Sequence, residues 1–229
     1  SRTVHVAPGG SDTSGNGSAG APFATIRQGL SGATPGTRVL VAAGSYPPIG
    51  SFSNLQGQPG APIAIIGQGN VVVNGGGSAM GLALSDPRYV VIEGITIENA
   101  FPHGMNIDDG GSYASPAQHV VLRRMTIRNV GTGGNSDCIK MSGVDDFFVL
   151  DSDVSRCNAG EIIDMVGCHR GFIHGNFFHD STINGVQTKG GSSNVFIHGN
   201  RFADIPQRSI NAGGSTGADY YRPLNTAYE

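Results

Sequence analysis

The sequence has no tryptophan and only two lysines, Lys140 and Lys189, among its 229 residues. Its net charge of −3 argues against the broad basic surface that binds nucleic acid. No apolar run approaches the roughly 20 residues needed to cross a bilayer, and no basic and then apolar leader precedes Ser1. We therefore expect a soluble protein with neither a nucleic-acid nor a membrane partner.

Cysteine is scarce as well, with Cys138, Cys157 and Cys168 and no metal-type spacing among them. An odd number leaves at least one thiol free. We expect buried thiols that stack in the core, with a Cys157–Cys168 disulfide as the alternative if adjacent turns bring these two together. The low lysine content and the many Gly, Ser, Thr and Asn residues favour a secreted or periplasmic protein.

Glycine, by contrast, is abundant, with 37 residues that follow no Gly-X-Y period. The missing period excludes collagen, and the regular apolar pairs between the glycines exclude disorder. We interpret the glycines as turn residues between short strands.

The sequence repeats about every two dozen residues. Residues 172–178 and 196–202 are near copies, and they place Asn176 and Asn200 in equivalent positions, which predicts a ladder of side-chain amides. A second apolar column keeps the same period: Met105, Ile139, Ile163, Val186 and Ile210. Two short strands per repeat, separated by turn residues, predict an all-β solenoid, the parallel β-helix, whose coils stack on one another.

We predict one domain over residues 1–229. Residues 1–38 form an N-terminal cap region, in which the helical spacing of apolar residues in Pro22–Leu30 predicts a short capping helix. Residues 39–219 form the stacked coils, and residues 220–229 form an irregular tail, for which we expect either truncation or self-association. The first strands of the regular coils are predicted at 90–97, 120–127, 147–154, 171–178 and 195–202.

The second strands of successive coils align a column of polar residues where each strand begins: His103, Asp137, Glu161, Asn184 and Arg208. Asp164 lies three residues after Glu161, on the outer side of its strand. Three carboxylates would thus gather on two adjacent coils and need a counterion, for which Ca²⁺ is the natural choice. The alternative is that Lys140, stacked beside Asp164, neutralises them as an ordinary surface ladder.

The same wall becomes basic in the next coils, with Lys189 and then Arg208. An acidic polysaccharide bound along it would place one carboxylate on the cation and the neighbouring sugar on the basic side chains, a geometry suited to β-elimination. We predict Asp137, Glu161 and Asp164 as metal ligands, and Lys189 and Arg208 as catalytic residues. The predicted substrate-binding residues are Lys140, Asn184, Gln187, Asn211 and Arg222.

The segments Val6–Asp12 and Ala21–Ile26 resemble the N-terminal capping segment of the right-handed parallel β-helix polysaccharide lyases, in the pectate-lyase-like superfamily. Asn135–Asp137 and Glu161–Asp164 resemble the cation motif of polysaccharide lyase family nine, and Lys189 resembles its base. This resemblance implies a right-handed β-helix and a calcium-dependent lyase that acts on an acidic polysaccharide.

Other functions remain open on the sequence alone, because the chain has Gly160–Glu161 where family nine has adjacent aspartates. A glycoside hydrolase would use the same three carboxylates. A uronan C5-epimerase would share the proton abstraction. A non-catalytic carbohydrate-binding module is favoured by the low aromatic content, 7% of the residues.

Overall fold

The computed structural model describes residues 2–112 and 114–224, so the end of the predicted tail, residues 225–229, lies outside the described residues. The described chain is a parallel β-solenoid of about six turns, and only 4% of it is helical. This confirms the predicted fold class. No helix in the described residues is long and apolar enough to span a membrane.

The strands stack into three columns, in which every pairing is parallel. The first column contains Arg88–Glu93, Ala117–Arg123, Phe148–Leu150, Phe172–His174 and Phe196–His198. The second contains Thr96–Glu98, Thr126–Val130, Asp153–Cys157, Phe177–His179 and Arg201–Ala203. The third contains Gly50–Ser53, Leu82–Ser85, Met105–Asp108, Ile139–Ser142, Ile163–Val166, Val186–Lys189 and Ile210–Ala212. The remaining strands are Thr3–Val6, Arg38–Tyr46, Ile63–Asn74 and Val144–Asp145.

Each regular coil therefore has three strands, and the prediction of two was wrong. The predicted strand at 90–97, for example, is divided between Arg88–Glu93 and Thr96–Glu98. The chain bends there at a residue in the left-handed region, with φ between 49° and 71°, and the same position bends in successive coils: Gly94, Arg124, Asp151, Gly175 and Gly199. Two of the five are not glycine, so the bend leaves only a weak signal in the sequence.

The apolar column of the third strands has the predicted register. Met105, Ile139, Ile163 and Val186 pair in order, and each is at most 1% exposed. Ile210 continues the column but is 45% exposed, because it belongs to the last described coil. The amide ladder is also confirmed, since Asn176 Nδ2 donates to Asn200 Oδ1 at 2.9 Å.

The N-terminal end of the solenoid is closed by the helix Ile26–Leu30, which is shorter than the predicted 22–30. Thr25 caps it by accepting a hydrogen bond from the Gln28 N–H. Ile26 and Leu30 are buried against the first coil. The helix therefore shields the apolar end of the stack, as a solenoid cap should.

After the last strand, the C-terminal segment, residues 213–224, turns back across the third column. Arg222 fixes it: its guanidinium donates to both oxygens of Asp145, at 2.6 and 2.7 Å, and to the Gly167 carbonyl at 2.8 Å. The Arg222 N–H also donates to the Gly190 carbonyl. Arg222 was predicted to bind substrate, but in this structure its side chain is held by the buried contact with Asp145 and the Gly167 carbonyl.

The predicted state of the cysteines was wrong as well. Cys138 and Cys157 form a disulfide in the core, whereas Cys168 is free and buried. Cys138 precedes a third-column strand and Cys157 ends the second-column strand of the next coil, so their Cα atoms are 5.5 Å apart, a separation that suits a disulfide. The sequence shows the period of the repeat but not this crossing of the core.

Candidate active site

The polar residues that begin the third-column strands lie directly over one another. Backbone hydrogen bonds of 2.8 to 3.2 Å join each of these positions to the next coil. They run from the N–H groups of Gly104, Cys138, Ile162 and Gly185 to the carbonyl oxygens of Asp137, Glu161, Asn184 and Arg208, in that order. The register on which the predicted site depends is thereby confirmed.

Both lysines of the chain reach the same carboxylate. Lys140 Nζ contacts Asp164 Oδ2 and lies 3.5 Å from Asp137 Oδ2, while Lys189 Nζ lies 3.0 Å from Asp164 Oδ1. The Lys189 contact is an ion pair without hydrogen-bond geometry, so Asp164 Oδ1 accepts no hydrogen bond from any described residue. The two aspartates are fully buried, whereas the lysine side chains are 17% and 12% exposed. Around Asp164, therefore, ammonium groups rather than carboxylates face outward.

Asp137 is held by its neighbours on both sides in the column. Its Oδ1 accepts the Glu161 N–H at 2.9 Å, and its own N–H donates to His103 Nδ1 at 3.0 Å. His103 is therefore neutral with its proton on Nε2, and burial together with the charge of Lys140 lowers its pKa. Burial, together with the charge of Asp164, raises the pKa of Asp137 to about 7 despite the attraction of Lys140.

Asn184 and Gln187 bond to one another and to Glu161. Asn184 Nδ2 donates to Glu161 Oε1 at 3.2 Å and to Gln187 Oε1 at 3.1 Å, and all three residues are buried. The two amides were predicted to bind substrate, but in this arrangement they orient Glu161. Of the remaining predicted residues, Asn211 is half-buried and Arg208 is exposed in the last coil.

A cavity of about 520 Å³ lies between the third column and the C-terminal segment. Its wall includes Asp108, Asp109, Gly111, Lys140, Ser142, Gly143, Val166, Thr216 and Tyr220. Sequence reasoning missed Asp108 and Asp109. Asp108 is the sixth residue of the aligned segment 103–108. The alternation of side chains along a strand predicts that this position faces outward, so the sequence could have identified Asp108. Asp109 is buried, which raises its pKa.

The predicted calcium does not fit this arrangement. The Lys140 ammonium occupies the position beside Asp137 and Asp164, and Glu161 Oε1 accepts from Asn184. Within residues 2–112 and 114–224, no three His, Cys, Asp or Glu side chains are placed to hold a metal ion. The alternative prediction, that Lys140 neutralises the carboxylates, describes the observed contacts better.

No protein-family model and no curated protein matches the sequence. Solved structures do match it. Pectate lyase Pel9A superposes with a TM-score of 0.60 and 16% identity, over 99% of this chain and 82% of that one. Alginate lyase from Paenibacillus sp. str. FPU-7 gives 0.65 and 16%, over 96% and 78%. Lacto-N-biosidase from Eubacterium ramulus gives 0.60 and 14%, over 82% and 43%. At these identities the likeness shows the fold alone, a parallel β-helix like that of polysaccharide lyases.

Proposed function

We propose that this protein is a polysaccharide lyase that cleaves a uronic-acid polymer by β-elimination. One observation carries the proposal: both lysines of the chain converge on a single buried carboxylate beside a cavity. The likeness in fold to a pectate lyase and an alginate lyase supports the substrate class, because pectate and alginate are both polyuronates.

The exposure of the charged groups favours elimination over hydrolysis at this cluster. A glycoside hydrolase needs two carboxyl groups that reach the sugar on either side of the scissile bond. Asp137 and Asp164 are fully buried beneath the lysines, so a sugar bound at this cluster meets ammonium groups first. Ammonium groups bind the carboxylates of a uronic acid, and a neutral amine removes a proton from carbon.

Lys189 is the proposed base. Asp164 has two ammonium partners, and Lys140 alone leaves it paired, so Lys189 can leave its contact with Asp164 for the substrate without stranding a buried charge. Neutral Lys189 takes the proton from the carbon that bears the substrate carboxylate. The electron pair of that C–H bond forms a C=C bond, the C–O bond on the neighbouring carbon breaks, and the departing glycosidic oxygen takes a proton from water.

Arg208 and Lys140 are proposed to hold the polymer on either side of Lys189. The coils are about 4.8 Å apart, so groups on successive coils face successive parts of an extended chain. Arg208 is exposed and permanently charged, which suits it to binding a carboxylate and to stabilising the negative charge that develops on it. Lys140 forms part of the cavity wall and would bind the next carboxylate.

A glycoside hydrolase is the second candidate, on different residues. Asp108 and Asp109 both line the cavity, and burial raises the pKa of Asp109, as a general acid requires. Asp108 accepts hydrogen bonds from Asn106 Nδ2 and from the Gly110 N–H, which fix the orientation of its carboxylate. A lacto-N-biosidase shares the fold.

The test is to incubate the protein with pectate, alginate and glycosaminoglycans in the presence of chelator, and to follow the ultraviolet absorbance of unsaturated chain ends. We expect a signal with one polyuronate, and a loss of about 100-fold or more in Lys189→Ala. Asp108→Asn and Asp109→Asn are expected to retain the signal. New reducing ends without this absorbance, abolished in the two aspartate variants, would identify a hydrolase instead.

We also propose that the protein acts outside the cytosol. The Cys138–Cys157 disulfide supports this, because disulfides form and persist in an oxidising compartment. Detection of the disulfide by mass spectrometry in protein isolated from the periplasm or culture medium tests this proposal.

A further inference from the structure

We propose that the Lys140 ammonium stands in for a divalent cation, so that removal of this one side chain creates a Ca²⁺ site between Asp137 and Asp164. The inference does not depend on the proposed reaction, because it concerns metal binding by the folded chain. It also explains by one residue, Lys140, why the predicted calcium does not fit between Asp137 and Asp164.

The position of the charge is the first support. Lys140 Nζ contacts Asp164 Oδ2 and lies 3.5 Å from Asp137 Oδ2, which is where a cation shared by the two carboxylates would have to lie. His103 supplies no positive charge there, because its Nδ1 accepts the Asp137 N–H. Lys140 is therefore the positive group that the two buried aspartates share.

The state of the carboxylate oxygens is the second support. On the side of Lys140, Asp137 Oδ2 is fully buried, and no described residue donates a hydrogen bond to it. Buried carboxylates without a donor depend on a nearby positive charge, since the desolvation of each ion costs several kcal/mol. Without Lys140, Asp137 Oδ2 loses its charged partner and Asp164 Oδ2 loses its ammonium contact. These two oxygens then face the vacated position as hard ligands of the kind Ca²⁺ prefers.

The two lysines are not equivalent in this respect. The ion pair of Lys189 is on Asp164 Oδ1, the oxygen opposite the one that Lys140 contacts. Removing Lys189 leaves Lys140 between the aspartates and opens no cation site. Lys189→Ala therefore removes the same charge from the same cluster and is the matched control.

The experiment is to measure the Tm of the wild type, Lys140→Ala, Lys189→Ala and Lys140→Arg with Ca²⁺ and with chelator. Calcium at about 1 mM is expected to raise the Tm of Lys140→Ala by about 3 °C or more and to leave the other three unchanged. Isothermal titration should detect Ca²⁺ binding by Lys140→Ala, and the added change Asp137→Asn should abolish it. Equal stabilisation of the wild type, or none in folded Lys140→Ala, would overturn the proposal.

If Lys140→Ala does not fold in chelator, refolding decides the question. Recovery of the folded state with Ca²⁺ but not with chelator supports the proposal. Failure under both conditions, while Lys140→Arg refolds under both, would show that calcium does not replace the missing ammonium and would overturn it.

Discussion

Asp164 is the residue on which the site depends. It is fully buried, it holds Lys140 and Lys189 on its two oxygens, and its backbone pairs in register with Lys140 and Gln187. A buried carboxylate is costly without partners, and here one carboxylate has two. Asp164 therefore keeps one cationic partner if the other lysine moves, as the proposed reaction requires of Lys189.

Asp164→Asn is therefore expected to be strongly destabilising. The change leaves two largely buried ammonium groups without their shared partner, and the free energy of unfolding should fall by about 3–5 kcal/mol. Urea denaturation measures it. The matched control is Asp153→Asn, which removes a half-exposed carboxylate paired with His179 and should change stability by about 0.5 kcal/mol or less. Similar losses in the two variants would contradict the central role of Asp164.

At the scale of single residues, the sequence predicted where the side chains lie better than which groups they contact. The strict period placed Lys140 beside Asp164 and Asp137 beneath Glu161, because parallel pairing in register follows from the repeat alone. It did not reveal that Lys189, one coil further, reaches back to Asp164, since the length and direction of a flexible side chain are not encoded by spacing. Nor did it reveal that Arg222 would find Asp145, a contact between residues 77 positions apart.

At the scale of elements, the C-terminal segment forms one wall of the proposed binding cavity. Thr216 and Tyr220 line the cavity, and Arg222 ties the segment to Asp145 across the third column. Arg222→Ala removes one partner of a largely buried ion pair, so the free energy of opening this segment should fall by about 3 kcal/mol. Hydrogen exchange of residues 213–224 measures it. Arg170→Ala, which removes a half-exposed partner of the same Asp145, should leave the protection of the segment unchanged.

The same contact makes the segment sensitive to acid. Burial alone would raise the pKa of Asp145, but the hydrogen bonds and charge of Arg222 outweigh it, so this pKa lies below its ordinary value of 3.8. The stabilisation is thus fully present above that value and is lost as the pH falls through the lower, folded pKa. We expect pepsin to cut the segment faster as the pH falls below about 4, and Asp145→Asn to remove this dependence. A cleavage rate independent of pH in the wild type would contradict the ion-pair account.

The strands also show which part of the fold the period of the sequence did not predict. The apolar alternation predicted the third-column strands, with Ile139–Ser142 and Ile163–Val166 in the expected places. It merged the first and second columns because the bend between them falls on residues as different as Gly94, Arg124 and Asp151. Left-handed backbone at a non-glycine residue is set by the surrounding coils, so the local sequence does not reveal it.

At the scale of the whole molecule, the solenoid is closed at one end and bound across its core by a disulfide. Cys138 and Cys157 are 19 residues apart and join successive coils directly beside Asp137. Reduction should lower the free energy of unfolding by about 3 kcal/mol, because the bond restricts the unfolded chain. Urea denaturation with and without reductant measures it. Cys168→Ala should keep the response to reductant, whereas the double change Cys138→Ser and Cys157→Ser should lose it; a response in the double variant would contradict this origin.

The central claim is that a lysine base on the third column performs an elimination without a resident metal. The most direct test is mass spectrometry of the oligosaccharides released from a polyuronate by chelator-treated protein. The account predicts products one water lighter than hydrolysis would give, from the wild type and not from Lys189→Ala. Products of hydrolytic mass, or elimination products that Lys189→Ala still releases at the wild-type rate, would contradict it.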